Sequence, residues 1–366
     1  MGAVVAAAVL GVLGLVAVAV VATSVGPTAV PLAALLALVP LAVVLATIAW
    51  VDRWEPEPLP ALAVAFGWGA SVSVLVALVV NTGAVEVLVA LGTGLGEASA
   101  VGATVVAPVI EEVVKALGVL VVLLAWRRSF DGPVDGLVYG ATVAAGFAFV
   151  ENILYFGAAI SGSMGLEDSG AAVATVFVLR AVVSPFAHVM FTACVGLALG
   201  IAARSPSPTA WLLALPTGLV AAVGLHALWN TTAVRSSSGG FVAAYVTVQV
   251  PVFLALVGLV VWLRSREGRV VRDRLGEYAR RGIVGPAEVT HLSSLGDRRR
   301  AQAWARANGG PRAARAMRDY QRAATVLAFQ AHRVHLQRDL DALRDEPALV
   351  AALAQARTRL RATLTV

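Results

Sequence analysis

Eight apolar runs, near residues 3–24, 28–50, 59–80, 100–126, 136–160, 174–202, 209–233 and 241–263, occupy most of the first 263 positions of this 366-residue chain. Each is long enough to cross a hydrocarbon layer about 30 Å thick. Inside such a layer the backbone N–H and C=O groups must pair within the protein, which leaves helices or a closed barrel. Barrel strands alternate polar and apolar residues in pieces of about ten, and these runs do not. The expectation is an all-α fold, a polytopic membrane helix bundle of about eight transmembrane helices. A composition of 59% hydrophobic and 14% charged residues excludes an ordinary soluble domain.

Arginine placement sets an expected orientation, because short cytoplasmic loops retain positive charge. Arg53 follows the second run, Arg127 and Arg128 the fourth, Arg204 the sixth, and Arg264 with Arg266 the eighth. The loops after the first, third and fifth runs carry no basic residue, and the seventh has only Arg235. Both termini are therefore expected in the cytoplasm, with the protein integral to the cytoplasmic membrane. The first run lacks a charged leader and is long for a signal peptide, so it is read as a retained span. The single cysteine, Cys194, excludes an intramolecular disulfide and any cysteine metal cluster, and reads as a small apolar filler.

Charge divides the chain in two. Residues 1–263 carry 7 basic and 12 acidic side chains, whereas residues 264–366 carry 21 arginines and 10 acids. The first segment is read as the membrane domain and the second as an Arg-rich cytoplasmic tail of amphipathic helices, broken at Gly309-Gly310-Pro311 and resuming from about Ala313 to Leu343. Such a tail suits anionic lipid. No nucleic-acid partner is expected, because the basic residues come with no reading motif.

Within the apolar runs stand residues that lipid tolerates only for a reason. The fourth run contains Glu111, Glu112 and Lys115, the only lysine of the chain, just after Pro108. Charged groups at mid-bilayer depth cost roughly 2.5–3.5 kcal/mol each on insertion scales, which makes them functional candidates by default. Glu111 and Lys115 are spaced for an i,i+4 ion pair. The fifth run adds Phe147, Glu151 and Asn152, the sixth Arg180 and His188, and the seventh His226 and Asn230. Counted inward from the outer ends of their runs, Glu111, Glu151, His188 and His226 fall about 11, 9, 12 and 7 residues deep, or roughly 10–18 Å at ~1.5 Å per residue. Helices that alternate in direction need not have aligned these groups, so one composite site is expected. Asn230 reads as a packing amide or histidine orienter, and Arg180 as a residue snorkelling to the interface.

Two carboxylates, two imidazoles and an ammonium suit the activation of water. Adjacent buried carboxylates do not readily both ionise, so one of Glu111 and Glu112 is expected to hold a proton while the other acts as base. Taking a proton from water and returning it to a departing amine is the acid–base pattern of peptide hydrolysis. His188 and His226 can either stabilise an oxyanion or, with Glu151, ligate a divalent metal such as zinc. The spacing leaves these open. A His-Glu-x-x-His zinc helix is absent, and Asp131 and Asp135 fall in the loop after the fourth run. Ser161 and Ser163, at the end of the fifth run, have no helical base.

These residues carry a family resemblance. Asp52-Arg53-Trp54-Glu55-Pro56-Glu57-Pro58, the block from Pro108 to Lys115, Asp135-Gly136-Leu137-Val138-Tyr139-Gly140, and Gly146 to Tyr155 follow in order, then Arg180 with His188, then His226-Ala227-Leu228-Trp229-Asn230. Their order and spacing resemble the PrsW family of intramembrane peptidases, itself similar to the CAAX-peptidase and bacteriocin-processing group. The resemblance implies hydrolysis of a peptide bond in a membrane-anchored protein, an anti-sigma factor in the family's characterised role. It implies Glu111, Glu112, Lys115, Glu151, His188 and His226 as catalytic residues. Related enzymes are described both as metalloproteases and as glutamate-dependent, so the resemblance leaves the cofactor open. The Asp52–Pro58 segment is expected at the interface, with Trp54 in the aromatic belt. Two other classes compete: a proton-coupled transporter, which also places Glu and His at mid-membrane but predicts paired inverted repeats that are not evident, and a non-catalytic scaffold that works through the basic tail.

Overall fold

The computed structural model describes residues 2–127, 129–162, 169–337 and 340–364; Arg128 and Ser163 lie outside them. Among the described residues there is no strand. The chain forms two compact units, one of residues 1–52 and 57–258, the other of residues 53–56 and 259–366.

Among the described residues the first unit holds nine helices in chain order: α1 (Gly2–Val25), α2 (Val30–Val51), α3 (Leu59–Ala90), α4 (95–125), α5 (Pro133–Ile160), α6 (169–183), α7 (Ala187–Ala203), α8 (Pro208–Arg235) and α9, which begins at Ser238. Among the described residues seven continuous stretches are long and apolar enough to cross a membrane: α1, α2, α3, α5, α6 with α7, α8 and α9. The fourth run becomes α4, which carries the three ionisable residues of the Glu-Glu-x-x-Lys block. Large apolar side chains such as Leu15, Leu35, Leu212 and Val220 point outward, whereas Glu111, Glu112, Lys115, His188 and His226 are buried. This inverts the pattern of a water-soluble fold, and the protein is an integral membrane protein.

Helix α5 is the central post, buried along nearly its whole length between α7, α2 and α3. Small residues make that possible, since close backbone approach replaces the hydrophobic effect as the force between helices in lipid. Gly136 on α5 and Gly196 on α7 face each other so closely that a Cβ on either would overlap the other's carbonyl oxygen. Asp135, expected in a loop, is instead buried in the first turn of α5, because Pro133 at the helix start brings the helix forward. At that end Tyr139 donates a short hydrogen bond to Glu57, and the Glu57 amide donates to Asp52 Oδ2 at 3.0 Å.

Among the described residues four helices contain a widened, π-type turn, at Gly69–Ser73, Gly102–Val106, Val178–Val183 and Tyr245–Gln249. The last three each end two residues before a proline, Pro108, Pro185 and Pro251. Proline has no N–H to give and crowds the preceding turn, so the helix opens just ahead of it.

The second unit is a folded helical body of its own. It comprises the latter part of α9, ending at Arg280, then α10 (Pro286–Leu292), α11 (Leu295–Gln337) and α12 (Leu340–Ala362). The expected break occurs within α11, where Gly310 takes a φ of 67° just before Pro311. Its core contains Val271, Leu275, Leu327, Phe329 and Leu353, together with Trp54. Trp54 is thus a core residue of this unit, not a member of an aromatic belt. Arg298 lies 4.7 Å over its ring and donates to Leu292 O and Thr325 Oγ1. Burial lowers the Arg298 guanidinium to about 10.

Candidate active site

The helices of the first unit bring all six expected residues together. On α4, Glu111, Glu112 and Lys115 follow the widened turn and Pro108, and all three are buried. The one-turn spacing puts the lysine over both carboxylates, yet it chooses one of them. Lys115 Nζ is 2.6 Å from Glu112 Oε1 and 3.7 Å from Glu111 Oε2. The i,i+3 pair therefore forms the hydrogen bond, in place of the i,i+4 pair expected from spacing. The ammonium also lies 4.1 Å over the Phe147 ring of α5 and 3.3 Å from His188 Nδ1.

Glu112 is saturated. Its Oε1 accepts from Lys115 and stands 3.0 Å from His226 Nδ1, while Oε2 accepts from Thr192 Oγ1 at 2.8 Å. Glu111 is not. Asn81 Nδ2 of α3 donates to its Oε1 at 3.3 Å, and its buried Oε2 accepts no hydrogen bond from any described residue. Glu111 also lines a cavity of about 1160 Å3 whose walls include Asn81, Glu151, Arg180 and His188; Glu112 does not.

The two histidines are oriented alike. His226 turns Nδ1 to Glu112, and His188 turns Nε2 to Glu151 Oε2 at 2.8 Å. The second nitrogens face inward: His226 Nε2 is 3.9 Å from Glu111 Oε2, and His188 Nδ1 faces Lys115. The rings meet edge to face at 5.1 Å, and Phe191 stacks on His226 at 4.9 Å. Glu151 is held on its other side by Arg180, whose Nε donates to Asn152 Oδ1 at 2.7 Å. Arg180 thus points into the site and does not snorkel outward. Paired in this way, Glu151 is committed to its neighbours, and the three groups whose ligand atoms lie within 4.8 Å of one another are Glu111, His188 and His226. A buried carboxylate oxygen that accepts no hydrogen bond from any described residue, beside two histidines that each hydrogen-bond a carboxylate, is a donor set that fits a divalent metal.

Asn230 lies apart from this centre as a packing amide, donating to Ala103 O of α4 at 2.8 Å. Ser161 sits at the far end of α5, where its hydroxyl bonds Ala158 O. Cys194 is half-buried, with its thiol on Met190 O. Two site residues escape sequence reasoning, Asn81 and Thr192. Asn81 offers a signal, as a carboxamide just past the end of the third run, and Thr192 offers its place one turn after His188.

A polytopic helical membrane protein with a buried carboxylate–imidazole centre built from several helices is the class these observations define. Residues 57–256 match the PrsW family intramembrane metalloprotease, more than half of the chain, and the protein belongs to that family. Protease PrsW of Clostridioides difficile (strain 630) is 37% identical over 92 residues, which cover 25% of this chain and 34% of that protein. The similarity thus spans about a third of the relative's length. No solved structure matches.

Proposed function

We propose that this protein is an intramembrane endopeptidase that cuts a membrane-anchored protein, with Glu111 as the general base. The observation that carries the reading is the asymmetry of the two glutamates: Glu112 is bound by Lys115, Thr192 and His226, whereas Glu111 presents beside a cavity a buried oxygen that accepts no hydrogen bond from any described residue. A water held there gives its proton to Glu111 as its oxygen attacks the substrate carbonyl carbon. Negative charge develops on the carbonyl oxygen, next to the Arg180 guanidinium in the cavity wall. Collapse of the adduct breaks the C–N bond, and Glu111 returns its proton to the departing amine. Asn81 keeps the Glu111 carboxylate oriented through both transfers.

Glu112 holds Lys115 and His226 in place, and Glu151 does the same for His188. A zinc ion would be held by His188 and His226 beside Glu111, which keeps its role as base. When bound, the metal supplies Lewis-acid polarisation of the scissile carbonyl. We place both termini in the cytoplasm of a cell whose cytoplasmic membrane holds the bundle, with the arginine-rich second unit against anionic lipid.

The test is to incubate the full-length protein in nanodiscs with solubilised bacterial membrane proteins and to sequence new peptide termini by mass spectrometry. New termini in or beside apolar segments, absent with Glu111→Gln, are the expected result. An equal set of termini from the wild type and the variant overturns the reading.

A further inference from the structure

Beside the large cavity lies a smaller one of about 190 Å3, walled by Phe186, Met190, Leu225, Tyr245, Gln249 and Phe253 among others. Ser184 and Trp229 belong to the walls of both cavities. Phe191, also in the small cavity's wall, is the ring stacked on His226. The small cavity therefore begins one side chain away from the imidazoles.

Its lining is apolar, and two of its polar groups are already engaged. Ser184 Oγ donates to Leu179 O, and Tyr245 Oη donates to Val183 O. Gln249 is the exception, since its side-chain Nε2 and Oε1 are both buried and neither pairs with a described residue. Buried carboxamides are normally hydrogen-bonded, and an orphan at both ends calls for a function. Gln249 closes the widened turn ahead of Pro251, a kind of helix defect frequent at functional sites.

We propose that Gln249 binds the backbone of the substrate next to the bond that is cut, and that the small cavity receives a large apolar side chain of the same segment. This rests on the peptidase reading. A membrane-spanning substrate has its N–H and C=O groups paired within its own helix, and it must unwind locally before a carbonyl can be attacked. The unwound residues then need new partners in surroundings without water. A carboxamide supplies one donor and one acceptor, the complement of a peptide unit. The space suits a Leu, Met or Phe side chain, because a cavity of about 150 Å3 already admits a benzene ring.

The experiment uses full-length protein in nanodiscs, wild type beside Gln249→Leu, Val252→Trp and Glu111→Gln. Cut sites are first mapped in a mixture of membrane proteins, and a quenched peptide is built around the best of them. Wild-type cuts should cluster where a Leu, Met or Phe stands at one fixed position beside the bond. Gln249→Leu should cut that peptide with kcat/KM about tenfold lower, as expected for a lost hydrogen bond, while its thermal midpoint rises because an orphan amide has been removed. Val252→Trp, which narrows the cavity from a helix outside the carboxylate–imidazole centre, should shift the preference to Ala or Gly. Cutting by both variants at wild-type rate and preference overturns the proposal. So does a fall in the Gln249→Leu midpoint, which would make the amide structural, or a lipid bound to the wild type and lost from Val252→Trp with cutting unchanged. If no cutting depends on Glu111, the peptidase reading itself fails, and this proposal falls with it.

Discussion

Lys115 Nζ and Glu112 Oε1 lie 2.6 Å apart, both side chains fully buried and one turn apart on the same helix. That contact divides the work of two adjacent glutamates. Glu112 is used up in holding Lys115, Thr192 and His226, and Glu111 keeps an oxygen for the cavity. The two positions should therefore respond differently to the same substitution. Glu111→Gln should lower peptide cleavage by about 10²–10⁴-fold, the usual loss of a general base, with a thermal midpoint near that of the wild type. Glu112→Gln should lose both activity and stability. Differential scanning fluorimetry in detergent, run beside the cleavage assay, separates the two outcomes.

Removing the ammonium leaves a buried carboxylate without its counter-charge. Lys115→Met should cost about 3–5 kcal/mol, read as a lower unfolding midpoint in detergent. Lys115→Arg should not restore activity. A planar guanidinium cannot take the place of an ammonium that points at Glu112 and His188 from above the Phe147 ring.

Metal content tests the histidine pair. Protein purified without chelator should carry one zinc per chain by mass spectrometry of the elements, lost in His188→Ala and in His226→Ala. Glu151→Gln should retain a zinc site weakened about 10–100-fold, because Glu151 supports His188 from its far side. Dialysis against a chelator should abolish cutting, and zinc should restore it.

Asp52, at the end of α2, is raised to about 7, mainly by burial. An acid raised in the folded state binds more protons there than in the unfolded chain. Between about pH 4 and pH 7 stability should therefore fall as pH rises, by on the order of 1–2 kcal/mol after discounting for its partial exposure. Asp52→Asn keeps an oxygen to accept the Glu57 amide and should flatten that slope in unfolding midpoints measured across the same pH range.

The α5–α7 contact should be intolerant of a single methyl. Gly136→Ala sets a Cβ against the Gly196 carbonyl, and separating the two helices should cost about 2–3 kcal/mol. Because α5 carries Glu151 and α7 carries His188, cleavage should fall along with the unfolding midpoint.

Much of this was legible in the sequence because lipid is an unforgiving solvent. Apolar length alone located the spans, and ionisable residues inside them located Glu111, Glu112, Lys115, Glu151, His188 and His226, which the fold brings into one cluster. Arg180 was misjudged because depth along a helix says nothing of which side the guanidinium faces. The Glu151 carboxylate that claims it stands on another helix, 29 positions earlier. Trp54 was misjudged for a related reason: a tryptophan after a span and before prolines reads as an interface anchor, whereas its partners lie more than 200 residues later, in Val271 and Arg298. Asn81 and Thr192 went unseen because their partners, Glu111 and Glu112 on α4, meet them only once the helices pack.

The widened turn at Gly102–Val106 holds one residue more than regular winding would, and each residue advances an α-helix by about 100° around its axis. Deleting one position there, Val105 for instance, would leave the length of the span nearly untouched while swinging Glu111, Glu112 and Lys115 away from α7 and toward lipid. In this helix the angular setting of the chemistry is written by an inserted residue and guarded by Pro108, so a sequence comparison that closes that gap would align the wrong faces.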